Sequence, residues 1–182
     1  MSIRPARPDD APRLAAVHIR AWHETYRGIM PDQTLADLSL AKSKEGWAKR
    51  LSALPDRQAV FVACDDQDQP VGFVATGPRR LPELPTDGEI FAINLVSEAK
   101  RKRLGLGLMH AASQQLIADG FQAIGLWVLE QNVGARAFYE RLGGIPATQR
   151  EQAFGEATLT ELGIVWASAA ALAERTRWLI EG

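Results

Sequence analysis

The chain has 182 residues, 46% hydrophobic and 24% charged, values typical of one soluble globular domain. Its 21 basic and 22 acidic residues give a formal net charge of −1, which argues against nucleic acid or an anionic membrane as the main partner. One cysteine excludes an internal disulfide, and three scattered histidines predict no metal site. With no membrane-length apolar run and no secretory signal, the expected location is cytoplasmic.

Helices and strands alternate in the first half of the chain. The predicted elements are an edge strand over 2–6, helices over 11–26 and 35–54, and an antiparallel hairpin of strands 59–64 and 71–75. Pro5 favours the sheet edge because proline cannot donate to a neighbouring strand. In the second helix, Glu45 and Lys49 have the spacing of an i,i+4 ion pair.

The second half continues the alternation after a proline-rich loop over 78–88. Its predicted elements are strand 89–96, helix 107–119, strand 124–129, helix 132–142, strands 145–153 and 157–166, and a helical tail over 168–182. Strand 89–96 is expected to be buried on both faces toward its end. The order indicates an α/β or α+β domain over 1–167. The apolar stripe of the tail is compatible with packing on the same domain or with a homodimer.

Residues 100–107 carry the strongest local signal for a ligand. Lys102 and Arg103 precede Gly105 and Gly107 at a predicted helix start, where backbone N–H groups and the helix dipole favour an anion. The alternative is a solvated charge run before an ordinary helix. A dinucleotide fingerprint lacks its third small residue here, and a P-loop fails because Pro78 stands where lysine is required.

A second segment places Asn132 at a helix start and Tyr139 two turns later. Alone, this pattern is equally compatible with an N-cap and an amphipathic tyrosine. Together, the two segments resemble the motifs of the GNAT superfamily of acetyl-CoA-dependent N-acetyltransferases. The matching residues are Lys102-Arg-Leu-Gly105-Leu-Gly107 and Asn132-Val-Gly-Ala135-Arg-Ala-Phe138-Tyr139, with Lys102 in place of the usual arginine or glutamine and Ala99 where proline is common.

The resemblance covers about residues 2–167 and implies the GNAT acyltransferase fold. That fold has a mixed, mostly antiparallel sheet of about seven strands, splayed between strands 4 and 5 and flanked by helices. By resemblance, acetyl-CoA would be bound by Leu95, Val96, Lys102, Arg103, Leu104, Gly105, Leu106, Gly107, Leu108, Asn132, Ala135, Phe138 and Tyr139. The pantetheine arm would pair with strand 89–96, and a backbone N–H of Leu95 or Val96 would donate to the developing oxyanion.

The resemblance also implies direct attack of an acceptor amine on the thioester, so Cys64 is expected to be a core residue and no nucleophile. Tyr139 would be the general acid and Glu89 a base acting through water, with His18, His23 and His110 as weaker candidates. Trp22, Tyr26 and Arg27 would contact the acceptor, although Trp22 and Tyr26 also fit a helix core face. A small-molecule amine, a protein amine and a catalytically silent acyl-CoA sensor all remain open.

Overall fold

The computed structural model describes residues 1–182 as a mixed sheet with helices on both faces. The strands are β1 (Ser2–Pro5), β2 (Ala59–Cys64), β3 (Pro70–Pro78), β4 (Gly88–Leu95), β5 (Ile124–Leu129), β6 (Ile145–Phe154) and β7 (Ala157–Trp166). The helices are α1 (Ala11–Tyr26), α2 (Asp32–Ala36), α3 (Leu40–Ser52), α4 (Leu104–Ala118), α5 (Val133–Arg141) and α6 (Ala169–Glu181). None of them is long and apolar enough to cross a membrane.

The seven strands follow the order β1-β2-β3-β4-β5-β7-β6, and only β4 and β5 are parallel neighbours. The predicted GNAT architecture and the edge position of β1 are thus confirmed. The single helix predicted over 35–54 is wrong, because α2 and α3 are separate. Ser39 starts α3 by accepting a hydrogen bond from the Lys42 N–H (3.3 Å). Glu45 and Lys49 form no ion pair with each other.

Opposite faces of the sheet carry different helices. Phe73 of β3 points toward α1 and α3, where its ring lies 5.8 Å from His18 and 4.8 Å from Trp47 in T-shaped contacts. Ile3 of β1 faces α4, close to Gly107. The strands are therefore covered on both sides, and the largest core cluster contains residues from both layers.

The sheet divides between β4 and β5. Their pairing is limited to Gly88 with Ile124 and Glu89 with Gly125. The register of β3 against β4 shifts next to Phe91, which has no partner on β3, and such a bulge bends a strand. Beyond it, residues 91–95 are only half-buried. The expectation that this strand is buried on both faces toward its end is therefore wrong, because this end of β4 borders an open cavity.

Helix α6 packs on the same chain rather than leaving its apolar stripe free. Leu172 and Thr176 are buried against α4, and the Thr176 hydroxyl lies 3.0 Å from Nδ1 of His110. The guanidinium of Arg103 donates to the carbonyl of Ile180 (2.6 Å), which joins the end of α6 to the loop before α4. Trp178, 62% exposed, is the one large apolar residue of α6 that lies outside this packing. The apolar stripe thus packs on the same domain, as the first of the two interpretations of the tail states, and a homodimer stays a prediction.

Candidate active site

A cavity of about 820 Å³ lies where β4 and β5 diverge. The start of α4, helix α5 and the C-terminal part of α1 complete its walls. Ten residues predicted from the sequence line it: Trp22, Tyr26, Leu95, Arg103, Gly105, Leu106, Asn132, Ala135, Phe138 and Tyr139. The topology thus brings the two sequence motifs to one space, although they are separated along the chain by β5.

Seven predicted residues are not among those that line the cavity: Arg27, Glu89, Val96, Lys102, Leu104, Gly107 and Leu108. Leu104 and Leu108 are buried in the core, and Lys102 is exposed to solvent. Gly107 faces β1 across the helix–sheet contact. For the three residues that belong to α4, the helical period explains this division, because consecutive residues of a helix point to different sides.

Backbone groups of β4 face the cavity. Hydrogen bonds alternate along an antiparallel pair, and the N–H of Val96 donates to the carbonyl of Val71 (3.1 Å). Asn94 consequently turns its backbone toward β3, whereas Ile93 and Leu95 turn theirs toward the side on which β5 has diverged. Val96 is therefore unavailable as an oxyanion donor, and Leu95 keeps a free N–H.

The start of α4 offers further donors. The first backbone hydrogen bond of the helix runs from the Gly107 N–H to the Arg103 carbonyl (3.0 Å), so the N–H groups of residues 104–106 have no helical partner. Arg103 adopts a left-handed conformation (φ 60°), which turns the chain into the helix. Four basic residues line this end of the cavity: Lys100, Arg101, Arg103 and Arg141. Helix N-terminus and cations together favour an anionic ligand.

Tyr139 lies at the inner wall and is 6% exposed. Its ring packs against Phe138 (5.5 Å) and Trp166 (6.0 Å), while no group of the chain hydrogen-bonds to its hydroxyl. Burial raises the pKa of this phenol well above its ordinary value, and Tyr26 adds to the shift. The hydroxyl therefore stays protonated and is available as a donor. Asn132 caps α5 by accepting from the Ala135 N–H (3.2 Å), as its local pattern predicts.

The structure does not bring the predicted base to this cavity. Glu89 is fully buried, and its carboxylate accepts hydrogen bonds from the backbone N–H (2.8 Å) and Nε (3.1 Å) of Arg80. This pairing satisfies a carboxylate that does not line the cavity. No histidine lines the cavity either. His18 is enclosed by aromatic rings, and burial lowers its pKa.

Sequence reasoning missed Glu161 of β7, which lines the cavity. Its Oε2 accepts a hydrogen bond from Nε of Arg150 on β6 (2.8 Å), and Nη2 of the same guanidinium lies 2.6 Å from Oε2 in an ion pair. The Arg150 guanidinium in turn lies 4.2 Å from the centre of the Trp127 ring. The sequence does contain a signal for this pair. Arg150 and Glu161 lie at equivalent distances on either side of the short turn between two predicted strands, and such positions face each other across an antiparallel hairpin.

Residues 16–144 match the sequence model of the Acetyltransferase (GNAT) family. This chain is an N-acetyltransferase of the GNAT family. It is 30% identical over 172 residues to an uncharacterized N-acetyltransferase, YuaI, of Bacillus subtilis (strain 168), with 94% of this chain and 96% of that protein covered. It is also 31% identical over 137 residues to mycothiol acetyltransferase of Paenarthrobacter aurescens (strain TC1), with 74% and 39% covered.

Solved structures agree with the family assignment. The PaiA N-acetyltransferase from Thermoplasma acidophilum, in complex with coenzyme A, superposes with a TM-score of 0.65 at 21% identity. The match covers 88% of this N-acetyltransferase and 96% of that chain. At this identity the likeness establishes the fold. The family resemblance predicted from the two motifs is thus confirmed.

Proposed function

We propose that this N-acetyltransferase transfers the acetyl group of acetyl-CoA to a primary amine of a small molecule, by direct attack within a ternary complex. The observation that carries the proposal is one cavity that combines an anion-binding end with the unpartnered hydroxyl of Tyr139. The combination suits a donor with phosphates at one end and a reactive thioester at the other. It also explains why no nucleophilic side chain is needed.

The residues around the cavity fit acetyl-CoA. The N–H groups of residues 104–106 and the nearby basic side chains are suited to its pyrophosphate. Ile93 and Leu95 offer backbone groups to which the amides of a pantetheine arm can bond as an added strand would. Acetyl-CoA supplies the acyl group already activated as a thioester.

Two groups of the chain act at the thioester end. The free N–H of Leu95 is a donor for negative charge on the carbonyl oxygen. Tyr139 donates a hydrogen bond to the departing sulfur. With ordinary pKa values near 8.5 for a thiol and 10 for tyrosine, complete proton transfer is already uphill by about 2 kcal/mol. The raised pKa of Tyr139 makes this transfer still less favourable, so the residue contributes a hydrogen bond to the sulfur. As the C–N bond forms and the C–S bond breaks, coenzyme A leaves as a thiolate, and the proton lost by the acetylated nitrogen passes to water.

A small acceptor is favoured by the way the other end is closed. The hydroxyl of Thr34 on α2 donates to the carbonyl of Phe154 at the tip of the β6–β7 hairpin (3.3 Å). An apolar cluster centred on Met30, Leu35 and Leu129 fills the space beneath this contact. The hydrogen bond between α2 and the hairpin closes the end of the cavity from which the acceptor would enter. An extended protein segment would need this end to be open.

Thiol release from acetyl-CoA tests the proposal. The purified enzyme is assayed with amines, amino acids and peptides, with a control lacking acceptor. We expect acceptor-dependent release with a small amine and a product heavier by one acetyl group. Turnover with peptides alone would favour a protein substrate. Tight acetyl-CoA binding without turnover of any acceptor would favour a sensor and contradict the proposal.

A further inference from the structure

Charge is distributed unevenly around the cavity. All four basic lining residues belong to the loop before α4, the start of α4 or the end of α5. The single acidic lining residue is Glu161, which belongs to β7. A phosphate-bearing donor accounts for the cations but gives no role to a carboxylate, which it would repel. Glu161 therefore requires a different explanation.

Only one of the two carboxylate oxygens of Glu161 has a hydrogen-bond partner within the protein. The hydrogen bond and the closest ion-pair contact from Arg150 both end on Oε2, and no group of the chain hydrogen-bonds to Oε1. The side chain is only 13% exposed and lines the cavity, and Oε1 is not among the fully enclosed atoms that lack a partner, so Oε1 is accessible to a ligand. Arg150 stacks on Trp127 and does not itself line the cavity. A ligand in the cavity can therefore donate a hydrogen bond to the negatively charged Oε1 of Glu161, whereas the paired cation, Arg150, lies outside the cavity wall.

Glu161 lies on the acceptor side. Leu129, its register partner on β5, belongs to the apolar cluster beneath the hairpin tip. Tyr26 packs against the same cluster, and it lines the cavity together with Glu161 and Tyr139. Burial, and then the charge of Glu161, raise the pKa of the Tyr26 phenol. The Glu161 carboxylate and the Tyr139 side chain therefore border one space.

The ammonium that Glu161 attracts differs from the amine that reacts. An amine attacks only when neutral, and an ion pair with a carboxylate favours its protonated form. We propose that the acceptor is a diamine whose second, protonated amine is bound by Oε1 of Glu161 while its first amine reacts beside Tyr139. Glu161 is then a specificity-determining residue. This inference rests on the proposed acetyl transfer and names its substrate class.

The test compares straight-chain α,ω-diamines with the monoamines of the same chain length. For the wild-type enzyme we expect kcat/KM to be roughly 10-fold to 100-fold higher for the best diamine, the range of one charge-assisted hydrogen bond. Glu161→Gln should remove most of this preference and leave the dissociation constant of acetyl-CoA within about threefold. Glu151→Gln is the matched control, since Glu151 lies on the adjacent strand β6 and does not line the cavity.

Two results would overturn the inference. One is an equal kcat/KM of the wild-type enzyme for diamines and for monoamines. This result can be obtained without any variant. The other is an equal loss for monoamines and diamines in Glu161→Gln, which would make Glu161 a general contributor to the reaction. If no acceptor is acetylated, the proposed function fails separately. The melting shift that diamines cause in the coenzyme A complex of wild type and Glu161→Gln then decides the binding claim, and equal shifts in the two proteins contradict it.

Discussion

Gly107 of α4 lies against Ile3 of β1 so closely that a Cβ on the glycine would stand 2.8 Å from Cγ1 of the isoleucine. The glycine is thus required by helix–sheet packing. Gly107→Ala should lower the free energy of unfolding by about 1 kcal/mol, because overpacking outweighs the gain in helix propensity. For a chain of this length the melting temperature should fall by about 2–4 °C. If Gly107→Ala lowers the free energy of unfolding equally in the wild type and in the Ile3→Ala variant, the contact with Ile3 is not the cause of the loss.

Gly105, in the same motif, has the opposite environment. A Cβ there would make ordinary contacts with Leu95 (3.4 Å) and Phe138 (3.5 Å) at the wall of the cavity. Gly105→Ala should keep or slightly raise the melting temperature, since alanine is the better helix former. It should weaken acetyl-CoA binding by roughly 10-fold, because the added methyl group occupies space that the backbone leaves for the ligand. Calorimetric titration beside a melting curve separates the two glycines.

Tyr139→Phe removes a hydroxyl without a partner and keeps a packed ring. The turnover number should fall by about 10²-fold, the size expected when one hydrogen bond to developing negative charge is lost. The dissociation constant of acetyl-CoA should change by less than about threefold, since no apolar contact is lost. Single-turnover kinetics measure the chemical step directly. An unchanged chemical step would make Tyr139 a packing residue.

The pH profile of the wild-type enzyme gives an independent check on Tyr139. Because burial raises the pKa of the phenol above its ordinary value near 10, the donor form persists as pH rises through that value. At saturating acceptor, kcat should therefore show no decline attributable to this group up to about pH 10. An alkaline decline below about pH 10 that disappears in Tyr139→Phe would show that the group titrates earlier.

Glu89→Gln distinguishes a structural carboxylate from a catalytic base. The substitution weakens the ion pair with Arg80, whose side chain is half-exposed, so a loss of about 1–2 kcal/mol in stability is expected. The kcat of the folded variant should stay within about threefold of wild type. Glu83→Gln, in the exposed loop before β4, is the control. A catalytic defect that shrinks as pH rises, with normal melting, would restore Glu89 as the base.

Local sequence patterns predicted most of the fold. The limits of β2, β5 and β7 match the predicted ones. β2 and β5 are short apolar runs, and β7 is a longer strand that follows the turn at Gly155. Helix starts were less accurate: α4 begins at Leu104, so Gly105 lies within its first turn. The break between α2 and α3 depends on a cap at Ser39 that competes with a continuous helical period.

The site was predicted less completely because long-range pairing determines it. The motif residues reach one cavity as expected, but which neighbour each one meets depends on the sheet. Gly107 meets Ile3 over a separation of more than half the chain, and Glu89 meets Arg80 through the path of a proline-rich loop. Glu161 enters the cavity through the β5–β7 register, for which no short motif codes.

Hydrogen exchange of the β4 amides tests the central claim most directly, namely that the space between β4 and β5 is the acetyl-CoA site. The amides of Ile93 and Leu95 face this space without a strand partner, whereas Val96 is bonded to Val71. We predict that acetyl-CoA slows exchange at Leu95 and Ile93 and leaves Val96 nearly unchanged, as followed residue by residue by NMR. Saturating acetyl-CoA that protects neither Ile93 nor Leu95 would contradict the account.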